Sequence, residues 1–494
     1  MNKLLSIVSL SVLFLWVSGC KEPVIDEGVL PFSEPATVDP SGGNWRTIVL
    51  KSAADISVPQ PDAITSDAYK SEFAQVKNGV ASLEPEKITA INYWAVGGVT
   101  RWNQIARQLV AKYNTESGNP LDATNSPASS PFAARLYAAL SIAQYDALVV
   151  AWRAKYQYNR PSLVDQGVTT RAPIANVPSY PSEDAAVAEV SCQMLAYFFP
   201  NEAPWLKTKA AEHKQSRIWN GANVSSDIKG GEDIGAAVTT KVVDRLKIDR
   251  FSTASDPNNT WTTLLAKAPY DVKWTSLIIP TRPPILPLAG KVKTWFDSTA
   301  IAKSLPAAPP STTSASFQKD LTEVRTMADA RTRDQSRIAA KWDDGTGTFT
   351  IPGHWNMITE EFIHQYRQNE LRAARTYALV NRALQDGGTA CWVTKFAYFV
   401  PRPSQIDPTI KTATIIPNTP GYPSEHATFA SAATAVLLYV FPEEATALNA
   451  QLTEATLSEL YGGTSFRFDN EAGAKLGAAV GAIAVESAKA DGSK

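Results

Sequence analysis

The sequence PSEH at residues 423–426 is followed by SELYGGTSFRFD at residues 458–469, and both segments have a counterpart earlier in the chain. The counterparts are PSED at residues 181–184 and SRIWNGANVSSD at residues 216–227. Each later segment lies 242 residues after its counterpart, so the interval between the two segments is the same in both copies. A constant shift over separate segments indicates an internal duplication, which decides how the fold is organised.

The duplication extends towards the N-terminal side of these segments. Arg402-Pro403 repeats Arg160-Pro161 at the same shift of 242 residues. The segment WVTK at residues 392–395 matches WRAK at residues 152–155 at a shift of 240. A two-residue deletion in the earlier copy, ahead of Arg160, accounts for the difference. The two halves of the chain are therefore predicted to share one plan.

The composition sets bounds on the size of the fold and on its partners. The chain has 494 residues, of which 44% are hydrophobic, enough for one large core or two ordinary ones. Its 47 basic and 48 acidic residues give a formal net charge of −1, without a long block of either sign. Nucleic-acid binding has no electrostatic support in such a chain.

The N-terminus is typical of a bacterial lipoprotein signal. Residues 1–19 contain one Lys, an apolar run and a small-residue approach to Cys20, as secretory signals do. Residues 17–20, VSGC, resemble the lipobox at which the signal is cleaved and the cysteine acylated. We predict lipidation of Cys20 and a tether to the bacterial cell envelope, periplasmic or at the cell surface. A simple signal peptide and an uncleaved anchor are the alternatives.

Hydrophobic periodicity divides the rest of the chain into four parts. Residues 20–75 are rich in Pro, Ser, Asp and Thr, which predicts a flexible spacer outside the core. Apolar residues recur at helical spacing over residues 76–250 and again over 321–494, which predicts an N-terminal and a C-terminal helical bundle. Residues 251–320 form a Pro-rich linker between them. We therefore expect an all-α, duplicated helical bundle.

The C-terminal half combines residues suited to holding an oxyanion. Lys395 and Arg402 are two helical turns apart, so both can reach one point beyond a helix end. Ser424 is predicted to cap the helix that follows, where free NH groups and the positive helix end favour an anion. We predict Lys395, Arg402, Ser424 and Glu425 as anion-binding residues and His426 as an acid or base.

This order of residues resembles the superfamily of vanadium-dependent haloperoxidases and type 2 phosphatidic acid phosphatases (PAP2). Lys395, Arg402-Pro403 and Pro423-Ser424-x-His426 match its first two motifs. YGG at residues 461–463 and FRFDNEAG at residues 466–473 are similar to the bacterial haloperoxidase branch. The resemblance implies a doubled helical bundle, a phosphate or vanadate pocket, and phosphatase or haloperoxidase activity. It also implies vanadate as a possible cofactor, and no metal site of Cys or His ligands is predicted.

The third motif of that superfamily is incomplete. Glu459 occupies its Arg position, Ser465 occupies the position of the His that attacks phosphate or binds vanadate, and Asp469 keeps the position that orients that His. The Arg would give the pocket a charge of about +3 with Lys395 and Arg402, whereas Glu459 leaves about +1. We therefore expect severely weakened oxyanion binding, to an extent that depends on where the Glu459 side chain points.

The first copy is not an intact second site. It retains Lys155, Arg160, Ser182 and the Ser216-Arg217 pair, but Asp184 and Asn223 stand at its two His positions.

Three functional interpretations follow. The first is a degenerate oxyanion pocket with weak or no activity, able at most to bind a small oxyanion or phosphate ester. The second is an active acid phosphatase (phosphoric monoester hydrolase) or vanadium haloperoxidase, in which His426 is the acid or base and Ser465 a surrogate nucleophile. The third is a surface binding or scaffold protein. The sequence leaves the oligomeric state open.

Overall fold

The fold is entirely helical over the residues that the structure describes. The computed structural model describes residues 34–115 and 127–493, so the predicted signal peptide and Cys20 lie outside the described residues. Within that range there is no β-strand, which confirms the all-α prediction. The α-helices are α1 (Asp67–Val80), α2 (Pro85–Trp94), α3 (Gly98–Tyr113), α4 (Ser130–Tyr158), α5 (Glu183–Phe198), α6 (Ala203–Asn220), α7 (Ser225–Lys247), α8 (Trp261–Lys267), α9 (Ser298–Lys303), α10 (Ala315–Asp329), α11 (Arg333–Lys341), α12 (Thr350–Gln365), α13 (Glu370–Tyr398), α14 (Pro403–Ile406), α15 (Glu425–Val440), α16 (Ala445–Gly462) and α17 (Arg467–Lys489).

Short 3-10 helices complete the described secondary structure. They are Gly42–Asn44, Ala53–Asp55, Pro200–Glu202, Phe251–Thr253, Ala289–Lys291 and Pro442–Glu444. No helix of the described chain has both the length and the hydropathy required to cross a membrane.

The duplication predicted from the sequence recurs in the helices. Helices α4 and α13 have 29 residues each, α5 and α15 have 16, α6 and α16 have 18, and α7 and α17 have 23. In each copy the long first helix packs against the second, and the second against the fourth. The two copies meet where α4 packs along α13, so these two helices lie at the centre of the molecule.

Small residues bring α17 close to α15. A Cβ atom added to Gly473 would lie 2.4 Å from the Ser424 carbonyl oxygen, and one added to Gly477 would lie 2.1 Å from the Thr428 carbonyl oxygen. The Ala and Gly residues of α17 therefore serve close helix packing. As a result the N-termini of α15 and α17 are adjacent, and the Ser424 NH donates to the Asp469 carbonyl at 2.9 Å.

The N-terminal segment packs against the bundle. Trp45, Leu50 and Ile56 belong to the main hydrophobic core, and the backbone NH groups of Ile48 and Val49 donate to the buried Asp146 carboxylate at 2.7 and 2.8 Å. The prediction that residues 20–75 form a spacer outside the core is therefore wrong for this described part. A polar composition did not exclude docking, because a few apolar anchors and main-chain donors are enough to fix the segment.

The Pro-rich linker between the copies is mostly irregular, but it also packs against the bundle. It contains α8, α9 and the beginning of α10. Trp274 is buried and its NH donates to the Phe399 carbonyl at 2.7 Å. The NH groups of Trp295 and Phe296 donate to Asp386, the residue that corresponds to Asp146 in the other copy. Backbone NH groups of the linker thus bind Asp386 on α13, and those of the N-terminal segment bind the equivalent Asp146 on α4.

Candidate oxyanion site

The predicted site residues meet where three helices of the second copy converge. Lys395 lies in the last turn of α13, and that helix ends when Phe399 adopts a left-handed backbone conformation with φ of 53°. Arg402 follows between two prolines, which keep it in an irregular segment. Ser424 is the N-cap of α15, accepting a hydrogen bond from the Ala427 NH at 3.1 Å, which confirms the predicted cap.

The members of this cluster are almost completely shielded from solvent. Each has a relative exposure of at most 6%, so their charges interact in a low-dielectric environment. They are Lys395, Arg402, Ser424, Glu425, His426, Glu459, Ser465 and Asp469.

Arg402 holds the site together through hydrogen bonds to two loops. Its Nε donates to the Thr419 carbonyl and its Nη2 to the Thr419 hydroxyl, both at 3.1 Å. Its Nη1 lies 3.1 Å from the Thr464 carbonyl, 3.2 Å from Ser465 Oγ and 3.3 Å from Glu459 Oε1. Every nitrogen of this guanidinium therefore has a protein partner. Thr419 and Thr464 were not predicted as site residues. Their hydrogen bonds to Arg402 depend on how two loops fold, and no local sequence pattern indicates such contacts.

Glu459 points into the cluster. Its Oε2 accepts a hydrogen bond from the Ser424 hydroxyl and lies 3.6 Å from Nδ1 of His426, while Oε1 faces Arg402. Burial disfavours the ionised form, but the nearby charges of His426 and Arg402 hold the pKa of Glu459 well below its usual range. The Glu459 carboxylate thus already interacts with the hydrogen-bond donors that a bound oxyanion would need.

His426 is held in its protonated form. Burial by itself would lower its pKa, but the charge of Glu459, with smaller contributions from Glu425 and Asp344, raises the pKa to about 9. Its Nε2 lies 3.3 Å from the Asp343 carbonyl oxygen. The loop carrying Asp343 and Asp344 follows α11 and was not foreseen from the sequence, since it lies more than eighty residues before His426.

Lys395 directs its ammonium group at backbone carbonyl groups. Nζ donates to the carbonyl oxygens of Pro420 and Gly421 at 2.7 and 3.2 Å. These bonds hold the loop ahead of α15 against the end of α13. Glu425, predicted among the anion-binding residues, is the first residue of α15 and is buried; a carboxylate there adds negative charge to the site.

Asp469 lacks the partner that its motif position implies. Its Oδ2 accepts the Phe466 NH at 2.8 Å, whereas Oδ1 is buried without a hydrogen-bond partner among the described residues. Burial raises the pKa of Asp469 to about 7. Four residues earlier, Ser465 Oγ accepts from Arg402 instead. The resemblance assigns an orienting role to this carboxylate, and the residue that it would orient is Ser465 instead of a His.

The equivalent residues of the first copy form internal pairs. Lys155 Nζ lies 2.7 Å from Glu183 Oε2, and Arg160 Nη1 lies 2.9 Å from Asp227 Oδ1. Asp184 Oδ1 lies 3.0 Å from Nε2 of His213. These basic groups are thus neutralised within the fold.

One protein-family model matches part of the second copy. Residues 376–492 match the model of the PAP2 superfamily, and this range includes every motif residue from Lys395 to Asp469. The match lies in the C-terminal half of the chain and agrees with the predicted resemblance. No curated protein sequence matches the chain significantly.

Solved structures share the fold over most of the chain. The crystal structure of the first bacterial vanadium-dependent iodoperoxidase superposes with a TM-score of 0.58 at 20% identity, covering 78% of this chain and 96% of the other. The holo form of a bacterial vanadium-dependent chloroperoxidase gives a TM-score of 0.52 at 12% identity, with coverages of 76% and 94%. Its apo form gives 0.52 at 12% identity, with 75% and 95%. At these identities the likeness concerns the fold.

The residues of the cluster do not fit a vanadate group. The resemblance assigns the direct ligand to the position of Ser465, and a hydroxyl hydrogen-bonded to Arg402 is a poor replacement for an imidazole. The Glu459 carboxylate would also repel the anion from the donors it already engages. The predicted weakening of oxyanion binding thus gains a geometric basis, because Glu459 faces inward.

Proposed function

We propose that this protein is a PAP2-type protein in which the Glu459 carboxylate occupies the oxyanion site of the second copy. As a result, the protein has at most feeble phosphatase or haloperoxidase activity. The observation that carries the proposal is the position of Glu459, which contacts Ser424, His426 and Arg402. A substrate phosphate would have to displace a buried, ionised carboxylate held by these three groups. Coulomb energies of about 4 kcal/mol per close pair at an effective dielectric of 20 oppose that exchange.

The lack of an activated nucleophile supports the same proposal. A serine hydroxyl attacks phosphorus only when a base removes its proton. Ser465 Oγ instead accepts a hydrogen bond from Arg402, and His426 is already protonated near neutral pH. His426 could therefore act as an acid near neutral pH but has little capacity as a base. The site lacks the chemistry of the first half-reaction of a phosphatase.

Activity assays test the proposal directly. We expect the purified protein to hydrolyse p-nitrophenyl phosphate no faster than its Ser465→Ala and His426→Gln variants. We also expect no vanadate-dependent oxidation of iodide or bromide by peroxide above a protein-free control. Turnover that is saturable and lost in the His426→Gln variant would overturn the proposal and favour the active-enzyme interpretation.

The location in the cell envelope is part of the same proposal. Ala36 already bonds to the bundle, its NH donating to the Arg367 carbonyl at 2.9 Å. Only 15 residues lie between it and Cys20, so the two residues are at most about 55 Å apart. Lipid on Cys20 would therefore hold the bundle close to the membrane surface. We expect labelled palmitate to be incorporated in bacterial cells and lost in a Cys20→Ala variant; label retained by that variant would contradict the lipid anchor.

A further inference from the structure

A polar cavity lies between the two copies, away from the oxyanion site. It has a volume of about 300 Å³, at the lower end of the range for small-molecule sites. Its walls come from the N-terminal segment, the linker and helices α4, α7, α13 and α17. The charged residues that line it are Arg46, Arg245, Arg375, Arg382 and Asp491.

The cavity carries an excess of positive charge that the protein does not neutralise locally. Arg375 is paired with Asp491, Nε to Oδ2, at 2.7 Å. Arg382 is only 9% exposed, yet its side chain makes no hydrogen bond or ion pair with a described residue, and its Nε is buried without a partner. The exposed side chain of Arg46 likewise has no carboxylate partner in the described chain. A buried guanidinium group without hydrogen-bond acceptors is costly, so an anion in the cavity would offset that cost at Arg382.

Aromatic rings hold two of these guanidinium groups in place. Arg382 stacks over Phe296 at 4.1 Å from the ring centroid, and Arg245 stacks over Trp295 at 4.7 Å. Arg245 also donates through Nη2 to the Thr294 carbonyl at 3.0 Å, while its Nη1 is buried without a partner. Stacking fixes the plane of a guanidinium and leaves its edge free to donate to an oxyanion.

Two buried carboxylates lie near the cavity without lining it. Asp386 accepts the NH groups of Trp295 and Phe296, and Asp146 accepts three NH groups of the N-terminal segment. Neither forms an ion pair with an arginine of the cavity. Burial raises the pKa of Asp386 to about 7 and that of Asp146 to about 6, so they are incompletely ionised near neutral pH. Even full ionisation of both would leave the surroundings of the cavity positive.

The cavity is separate from the oxyanion site. Arg382 and Lys395 both lie on α13, 13 residues apart, which corresponds to about 20 Å along the helix axis. A ligand of the size of the cavity therefore cannot reach both sites, and the two can be tested independently.

We propose that this cavity binds a small anion with two or more negatively charged oxyanion groups, a phosphate compound or a polycarboxylate, clamped between Arg46, Arg245 and Arg382. Such a ligand would accept the guanidinium donors that have no protein partner. It would also bridge the N-terminal segment, the linker and both copies, so its binding would stabilise their docking. The site goes beyond the proposed function and does not depend on it.

Calorimetric titration of the full chain with pyrophosphate and, separately, with citrate tests the proposal. The two probes distinguish a phosphate ligand from a polycarboxylate ligand. We expect one-to-one binding of at least one of the two probes. Arg46→Gln and Arg382→Gln should each weaken it about tenfold or more, because each removes charge-assisted hydrogen bonds. Pyrophosphate binding alone would identify a phosphate compound, and citrate binding alone a polycarboxylate.

Arg337→Gln is the matched control, since Arg337 is an exposed arginine on α11, outside the cavity. It should leave the affinity unchanged. Arg46 is exposed, so its variant is expected to fold even if Arg382→Gln does not, and the thermal transition of each variant checks this. Absence of binding by both probes would overturn the proposal, as would affinities that Arg46→Gln and a folded Arg382→Gln leave unaltered.

Discussion

The double variant Glu459→Arg, Ser465→His is expected to bind orthovanadate and phosphate at least about 100-fold more tightly than the wild-type protein. The first substitution removes a carboxylate that faces Arg402 at 3.3 Å and adds a cation, a change of two charges in a buried site. Coulomb energies of several kcal/mol exceed the roughly 3 kcal/mol that a 100-fold gain requires. The second supplies an imidazole four residues before Asp469, whose Oδ1 is buried without a hydrogen-bond partner among the described residues.

Calorimetry with orthovanadate and with phosphate measures this gain in affinity. The single variants Glu459→Arg and Ser465→His show how much of it comes from the change in charge and how much from the imidazole. Asn223→His is the matched control in the first copy, where Arg217 already occupies the Arg position. That variant should gain little, because Lys155 is paired with Glu183 and Asp227 with Arg160. A double variant that folds but binds no better than the wild type would show that Glu459 is not what excludes the anion.

The variant Glu459→Gln is expected to lose about 3–5 kcal/mol of the free energy of unfolding at pH 6.5, since it leaves buried charges without their partner. Arg402 and His426 both face this carboxylate. The loss should depend on pH. The pKa of His426 is raised to about 9 in the folded protein, whereas the ordinary pKa of His in an unfolded chain is about 6.5. The protonated ring therefore stabilises the fold fully below about pH 6.5, and this stabilisation disappears as the pH rises through about 9. The variant should lack this component.

Urea unfolding at pH 6.5 and 9.5 checks the loss, and NMR titration of the His426 ring checks its cause. The difference between variant and wild type should shrink by roughly 3 kcal/mol at the higher pH. Phosphate should restore part of the lost stability in the variant and have no such effect on this site in the wild type. Glu454→Gln, on the same helix, removes a partly exposed pair with Lys341 and should cost at most about 1 kcal/mol. Equal costs for the two variants would contradict a buried ionic role for Glu459.

Several features followed from local sequence because they depend on neighbours along the chain. Ser424 was predicted as an N-cap from its position ahead of an apolar helix, and the structure places its hydroxyl on the Ala427 NH. The sequence of α17 is rich in Ala and Gly, and its Gly residues lie against the α15 backbone. The constant register of the two copies predicted a shared plan, and the lengths of the corresponding helices agree with it. Each of these properties is set by spacing and residue size.

Other features could not be predicted because they depend on contacts between distant segments. The docking of Trp45 was missed, since the surface that buries it comes from helices far along the chain. The partners of Arg402 at Thr419 and Thr464 lie in separate loops. The arginine cavity draws its residues from six parts of the fold. Contacts between distant segments leave no periodic pattern within any one segment, so they could not be predicted from it.

The sequence by itself determined the duplicated all-helical fold, the resemblance to the PAP2 superfamily and the two departures from its third motif, Glu459 and Ser465. It left the effect of Glu459 undecided, because a side chain on α16 could face solvent or the site. Only the tertiary structure decided this: the convergence of α13, α15 and α16 buries the carboxylate among Arg402, Ser424 and His426. The physical reason is that burial makes an ionised carboxylate stable only beside cations and donors, and those groups come together only when the helices pack.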